Sequence, residues 1–124
     1  MVKVRDRIKV CRDDRCIEVI ALFDTGSGKS YINERAAREL GYEKYPEPRK
    51  VHLAVKDAVA EVVGYVTAYL EIAGHRLPEV ETLGVIKDLA IKAIVGLNII
   101  EPYGIILEKE RIRFRQTPPT TYLI

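Results

Sequence analysis

The sequence lacks the features by which several large classes of protein are recognised. Its net charge is only +2 and its 20 Lys and Arg residues are spread along the chain, so nothing indicates a nucleic-acid partner. No apolar run is long enough to cross a bilayer, and residues 1–5 lack the apolar core of a signal peptide. We therefore expect a cytoplasmic protein with no membrane partner.

Histidine and cysteine are scarce, with two of each in the chain. His52 and His75 are far apart, and no Ser-His-Asp or Cys-His arrangement follows from the spacing. Cys11 and Cys16 flank a predicted hairpin turn and could form a cross-strand disulfide, but in a reducing cytosol free thiols are the favoured state. Two cysteines without a nearby histidine do not make a zinc site, so we expect neither a metal nor another cofactor.

The residues that are present indicate one small β domain. The 124 residues, 48% of them hydrophobic and 31% charged, suffice for one modest core. We predict a single domain over 1–124, with its core at about 2–115 and a C-terminal extension at 116–124. Apolar alternation between turn residues predicts strands at 2–11, 16–23, 51–55, 59–72, 77–85, 91–95, 105–107 and 111–115. Residues 45–48 (Tyr-Pro-Glu-Pro) are expected to form a stiff connector.

Two segments carry helical signals. Asn33 can serve as the N-cap of a helix over 34–40, and Gly41 follows where a C-terminal glycine belongs. A shorter helical turn is expected over 97–101, ended by Pro102. The predicted fold class is therefore all-β with one or two short helices.

The most informative feature is the motif Asp24-Thr25-Gly26-Ser27, which follows the apolar run at 19–23. Gly26 allows close backbone approach and can donate its N–H to the carboxylate, and Ser27 can donate a second hydrogen bond to the ionised form. Two carboxylates about 3 Å apart share one proton, so one can activate water while the other donates to a carbonyl oxygen. Because the chain has one copy of the motif, such a site needs two chains.

A second element, residues 93–100, reads as an apolar strand, a glycine and a short helix. With this element and the Asp-Thr-Gly loop, residues 17–107 resemble the retropepsins, the single-domain aspartic proteases of retroviruses and their cellular relatives. The resemblance implies a closed β-barrel that works as a homodimer and hydrolyses polypeptides. It implies that Asp24 is catalytic, that Thr25 hydrogen-bonds across the dimer and that Gly26 meets the substrate backbone.

The resemblance also implies where further substrate contacts lie. The hairpin tip formed by Val55, Lys56, Asp57 and Ala58 corresponds to the flap that closes over a bound peptide. Lys92 and Ile94 fall where the family lines its side-chain pockets. Since Ser27 is expected to bond the ionised carboxylate, we predict an acidic pH optimum.

Two other interpretations remain open. The chain could be a non-catalytic dimerisation or peptide-binding domain that keeps the barrel. Residues 26–30 (Gly-Ser-Gly-Lys-Ser) also resemble part of a phosphate-binding loop, but that pattern requires a glycine where Phe23 stands. The predicted hairpins downstream do not match the repeated strand–helix units of nucleotide-binding folds, so this interpretation ranks last.

Overall fold

The computed structural model describes residues 3–52 and 59–121, and these residues form ten strands and two short helices. The elements are β1 (Lys3–Arg12), β2 (Arg15–Asp24), β3 (Tyr31–Asn33), α1 (Glu34–Leu40), β4 (Glu43–His52), β5 (Val59–Ile72), β6 (His75–Arg76), β7 (Glu81–Ile86), β8 (Ala93–Val95), α2 (Leu97–Ile100), β9 (Ile105–Glu108) and β10 (Arg111–Phe114).

Six strands form a closed barrel. The sheet runs in the order β1-β2-β8-β3-β7-β5, and antiparallel pairing of β5 with β1, from Ile8↔Ile72 to Cys11↔Tyr69, closes the ring. Closure leaves these strands without an open sheet edge along their paired lengths. β4 lies beside β5 outside the ring, and β9 and β10 form a separate hairpin. The prediction of an all-β closed barrel with one or two short helices is confirmed.

The barrel interior is filled by alternate residues of each strand. In β5 the buried positions from Val62 to Ile72 recur at every second residue, as expected for a strand with one face on the core. Phe23, Ile32 and Leu70 are fully buried in the same cluster. Burial of side chains of this size stabilises the fold by about 1.5–3 kcal/mol each, before the entropy of ordering them is subtracted.

Helix α1 covers the predicted residues 34–40. Its N-cap is Asn33, whose Oδ1 accepts hydrogen bonds from Arg35 N at 2.8 Å and Ala36 N at 3.3 Å. Gly41, at φ 80°, follows the helix in a backbone conformation that favours glycine. Within the described ranges, no helix has the length and apolar character needed to cross a membrane.

Three predicted element boundaries are wrong or incomplete. Residues 45–48 lie inside β4, where a register shift between Lys44 and Arg49 at the outer edge of the sheet accommodates two prolines. Of the predicted strand at 77–85, only residues 81–85 form a strand, as part of β7, and residues 77–80, which include Pro78, link β6 to β7. The predicted strand at 51–55 ends at His52, and its remainder lies outside the described residues.

The expectation of free thiols is also wrong. Cys11 and Cys16 are bonded as a disulfide, and no free cysteine occurs in the part of the chain that the structure describes. The two residues face each other directly in the β1–β2 register, with 4.1 Å between their Cα atoms. The hairpin holds the two side chains within bonding reach, as the predicted turn allows, whereas the preference for free thiols rested only on an assumed reducing compartment.

Candidate active site

Asp24 is the last residue of β2 and is almost completely buried, with 1% of its surface exposed. The backbone turns immediately after it. Gly26 N donates a hydrogen bond to Asp24 Oδ1 at 2.8 Å, and Ser27 N donates to the Asp24 carbonyl oxygen at 3.1 Å. The predicted contact between the Gly26 N–H and the carboxylate is therefore present, and it orients the Asp24 side chain within the loop.

The Ser27 hydroxyl does not make the predicted hydrogen bond to Asp24. Ser27 Oγ donates to the carbonyl oxygen of Lys29 at 2.7 Å. A hydroxyl has one proton to donate, so it cannot at the same time donate to the carboxylate. Ser27 here closes the turn of the loop, and the reason given for an acidic optimum does not hold in this conformation.

The loop after Asp24 packs against the start of α2. Leu97 N donates to Ser27 O at 2.8 Å, and Asn98 N donates to Gly28 O at 3.3 Å. Gly96 makes this approach possible, because a Cβ atom at that position would lie 2.2 Å from Lys29 O. The predicted strand–glycine–helix segment is thus formed by β8, Gly96 and α2, and it lies directly against the Asp-Thr-Gly loop.

Ser30 connects the same two segments through its side chain. Its Oγ accepts a hydrogen bond from Gly96 N at 2.9 Å and donates to Asn98 Oδ1 at 2.7 Å. Ser30 is 2% exposed, so its hydroxyl is a buried polar group, and it has both a hydrogen-bond donor and a hydrogen-bond acceptor as partners. The Ser30–Asn98 contact has no local signal in the sequence, because the two residues are 68 positions apart.

An apolar strip lies beside Asp24 on the same face of the sheet. Leu22, two residues before Asp24, pairs with Ile94 of β8, and Ile94 pairs with Tyr31 of β3. The Tyr31 ring covers Gly84, where a Cβ atom would lie 2.7 Å from Tyr31 Cδ1. Leu22 could have been found from its two-residue spacing to Asp24, whereas only the strand pairing brings Tyr31 here.

The remaining predicted residues are divided between the site and its surroundings. Ile94 is buried in the strip, and Thr25 is partly buried within the loop. The Lys92 side chain is exposed just before β8, and its carbonyl oxygen accepts a hydrogen bond from Asn33 N at 2.8 Å. The predicted flap tip, Val55 to Ala58, lies outside the described residues.

The loop has few features of a phosphate-binding loop. The Ser27 and Gly28 carbonyl oxygens face α2 and accept its N–H groups. The chain forms a closed barrel, whereas a phosphate-binding loop joins a strand to the following helix of an open sheet. Among residues 3–52 and 59–121, no three His, Cys, Asp or Glu side chains are grouped so that they could hold a metal ion.

A hydrogen-bonded acid–phenol pair joins the start of β7 to the segment after α2. Tyr103, 3% exposed, donates a hydrogen bond from its hydroxyl to Glu81 Oε2. Burial raises the pKa of Glu81, although the hydrogen bond from Tyr103 opposes this effect. Burial, together with the hydrogen bond to Glu81, also raises the pKa of Tyr103 well above its usual range. This pair contributes to the packing of the β7 end of the barrel.

Comparison with known proteins identifies the family and the fold. The sequence model of a family described as aspartyl protease matches residues 8–99. The fold is similar to the retroviral protease-like domain of Ddi1 from Leishmania major, with a TM-score of 0.67 and 17% identity over 99% of this chain and 96% of that chain. It is also similar to a retropepsin-like aspartic protease from Rickettsia conorii, with a TM-score of 0.59 and 16% identity over 89% of this chain and 80% of that chain.

No curated protein matches the sequence. At identities of 16% and 17% the structural likeness shows the fold alone, whereas the family match extends over most of the chain. The chain therefore belongs to the aspartyl protease family and has a retropepsin-like fold.

Proposed function

We propose that this protein is an aspartic endopeptidase whose active site contains two Asp24 carboxylates, one from each chain of a homodimer. The reaction is hydrolysis of a peptide bond by a water molecule. One Asp24, ionised, takes a proton from the attacking water, and the other, protonated, donates a hydrogen bond to the substrate carbonyl oxygen. The role of Asp24 requires neither a metal nor another cofactor.

The observation that carries this proposal is the setting of Asp24. Its carboxylate is buried at the end of a barrel strand, on a loop whose Gly26 N–H donates to it. Removing a carboxylate from water costs free energy that hydrogen bonds from the protein must offset, and a purely structural turn could use an uncharged side chain instead. Hydrogen bonds from α2 and Ser30 hold the following residues in place, as a site that must preserve its geometry requires.

The need for a second chain follows from the chemistry. A single carboxylate cannot be both the ionised base and the protonated donor in one step. A two-fold axis between two Asp24 side chains would supply both forms from identical residues. In the proposed dimer, Thr25 of each loop contacts the opposite loop and the hairpin tip at 55–58 closes over the peptide.

The substrate would be an extended polypeptide bound largely through its backbone, with Gly26 as one contact. The strip of Leu22, Ile94 and Tyr31 beside Asp24 offers apolar surface for the side chains flanking the cleaved bond. We therefore expect cleavage between hydrophobic residues. Lys92, exposed just before β8, would contact the peptide at the margin of the site.

Incubation of purified protein with denatured casein from pH 3 to 7 tests the proposal. Wild type, Asp24→Asn and wild type with a statine-type transition-state mimic are compared, with Asp14→Asn as the matched control. Asp14 is an exposed aspartate in the β1–β2 turn, so its substitution removes a carboxylate remote from the loop. Sedimentation velocity on the same samples measures the oligomeric state.

We expect cleavage by the wild type and by Asp14→Asn, and its loss in Asp24→Asn and with the mimic. Cleavage that persists in Asp24→Asn would contradict the assignment of the carboxylate. A folded dimer that cleaves nothing at any pH would favour the alternative, a non-catalytic retropepsin-like dimerisation or peptide-binding domain.

A further inference from the structure

A row of cationic side chains lies on the outward face of β1. Lys3, Arg5 and Arg7 alternate with inward residues and are all exposed. None of the three forms an ion pair with any residue of the described ranges. We refer to these three residues as the β1 cation row.

The strand register joins this row to the candidate active site. Lys3 is paired with Asp24, Arg5 with Leu22 and Arg7 with Ile20. Directly paired residues of an antiparallel ladder have their Cβ atoms roughly 5 Å apart and on one face. The cation row, the apolar strip and the Asp24 loop therefore form one continuous surface.

The next residue on the same face of β1 shows how the row differs from an ordinary charged strand. Lys9 is paired with Glu18 on β2 and with Glu71 on β5, so carboxylates flank it on both sides. The residues of β2 directly opposite Lys3, Arg5 and Arg7 are the candidate catalytic Asp24 and two apolar residues, Leu22 and Ile20. No carboxylate of β2 lies directly opposite Arg5 or Arg7, and although Asp24 and Glu18 are their diagonal neighbours, neither arginine forms an ion pair within the described residues.

Ile20 adds an apolar contact to this surface. Its side chain is 42% exposed and lies directly opposite Arg7 and diagonal to Arg5 in the β1–β2 register. An apolar side chain beside guanidinium groups that form no ion pair within residues 3–52 and 59–121 suits a ligand that carries both apolar and anionic side chains. An extended peptide in the proposed cleft could present both, because its side chains alternate between two directions.

We propose that the β1 cation row selects polypeptide substrates that carry acidic side chains close to the cleaved hydrophobic pair. This inference rests on the proposed endopeptidase function and specifies its substrate class. Arg5 and Arg7 act as specificity-determining residues, which attract carboxylates without entering the chemistry of peptide hydrolysis. The attraction acts between partly exposed groups and is therefore weakened by salt.

Two synthetic peptides test the inference. Each has twelve residues with an apolar pair at the centre, flanked on both sides by Glu in one peptide and by Gln in the other. Cleavage is measured at pH 5.5, where glutamate side chains with an ordinary pKa of about 4.3 are largely ionised. The readout is the ratio of kcat/KM for the Glu peptide to that for the Gln peptide, at low and at high salt.

The proteins compared are wild type, Arg5→Gln/Arg7→Gln and the control Arg35→Gln. Arg35 is an exposed arginine on α1 that likewise makes no ion pair within the described residues. From the strength of partly exposed charge pairs we expect a ratio of about five to ten in wild type and Arg35→Gln at low salt. The ratio should approach one in the double variant and in the wild type at high salt.

The possible failures are distinguishable. Equal cleavage of the two peptides by the wild type overturns the inference and leaves the endopeptidase proposal intact. Cleavage of neither peptide counts against the endopeptidase proposal, and binding of fluorescent peptides to Asp24→Asn then measures the preference separately. A double variant that remains a dimer and keeps the wild-type ratio overturns the inference. A double variant that loses dimerisation, and with it the cleavage of both peptides, assigns the row to contacts between copies and also overturns it.

Discussion

Ser30 Oγ accepts a hydrogen bond from Gly96 N at 2.9 Å, and this bond joins two segments that are 66 residues apart in the chain. The same hydroxyl donates to Asn98 Oδ1, while Leu97 N donates to Ser27 O. The Asp24 loop and the start of α2 thus hold each other through backbone and side-chain contacts. The position of Asp24 depends on this connection as well as on its own strand.

Replacing Ser30 with alanine should destabilise the protein and reduce its activity. The buried Gly96 N–H would lose its acceptor, which costs about 1–3 kcal/mol of unfolding free energy. Urea unfolding measures the stability, and casein cleavage measures the activity of the folded fraction. Ser30→Thr keeps a hydroxyl and should recover most of both. An alanine variant with wild-type stability would contradict the importance of this bond.

Gly96 should tolerate no side chain. A Cβ atom there would lie 2.2 Å from Lys29 O and 2.6 Å from Ser27 O, both of which are backbone atoms. Gly96→Ala is therefore expected to lower the unfolding free energy by about 3 kcal/mol or more and to displace the Asp24 loop.

Gly28 provides the matched control for this substitution. It lies in the same loop, but a Cβ atom at Gly28 would have no neighbour within 4 Å. The unfolding free energy of Gly28→Ala should lie within about 0.5 kcal/mol of the wild-type value, and this variant should retain its activity. If urea unfolding gave equal losses for the two variants, the steric explanation for Gly96 would be wrong.

The features predicted correctly from the sequence have local signals. Helix α1 was predicted from Asn33 and Gly41, which act on their own backbone neighbours. The Asp24 loop was predicted from five apolar residues followed by a short polar motif. The strand β5 is predicted from two-residue alternation such as that of Val63, Tyr65, Thr67 and Tyr69. Such signals lie within one element and require no knowledge of the topology.

The features that the sequence did not reveal depend on distant pairing. Tyr31 reaches the site because β3 lies between β7 and β8, and Ser30 reaches Gly96 for the same reason. Ser27 is predicted to bond Asp24, but its hydroxyl donates to Lys29 O. A side chain with several possible partners cannot be assigned one from sequence, because the choice depends on backbone geometry.

The Cys11–Cys16 disulfide should contribute modestly to stability. The disulfide closes a short loop, with a sequence separation of 5. By lowering the entropy of the unfolded state it should stabilise the fold by about 2 kcal/mol. We expect dithiothreitol to lower the unfolding free energy of the wild type by about this amount. Cys11→Ser/Cys16→Ser should unfold like the reduced protein and show no response to the reductant. A wild type whose urea midpoint does not change on reduction would contradict the prediction.

Glu81 should make the protein less stable as the pH rises above the ordinary glutamate range. Its pKa is raised above the usual 4.5 in the folded state, mainly by burial, so the folded state holds the proton more tightly than the unfolded state does. The stability associated with the bound proton is complete below pH 4.5 and is lost as the pH rises through the folded-state pKa. The unfolding free energy of Glu81→Gln should not show this fall with rising pH. That of Glu101→Gln, which removes an exposed carboxylate, should fall as in the wild type.

Tyr103→Phe should strengthen the fall of the unfolding free energy with rising pH, whereas Glu81→Gln should weaken it. The Tyr103 hydroxyl donates to Glu81 and thereby favours the ionised carboxylate, so its removal should raise the Glu81 pKa further. We expect the unfolding free energy of this variant to fall more steeply with pH than that of the wild type. Urea unfolding at intervals from pH 4 to 7 measures the slopes. If Glu81→Gln and Tyr103→Phe changed the slope in the same direction, the pair would not be coupled as the hydrogen bond implies.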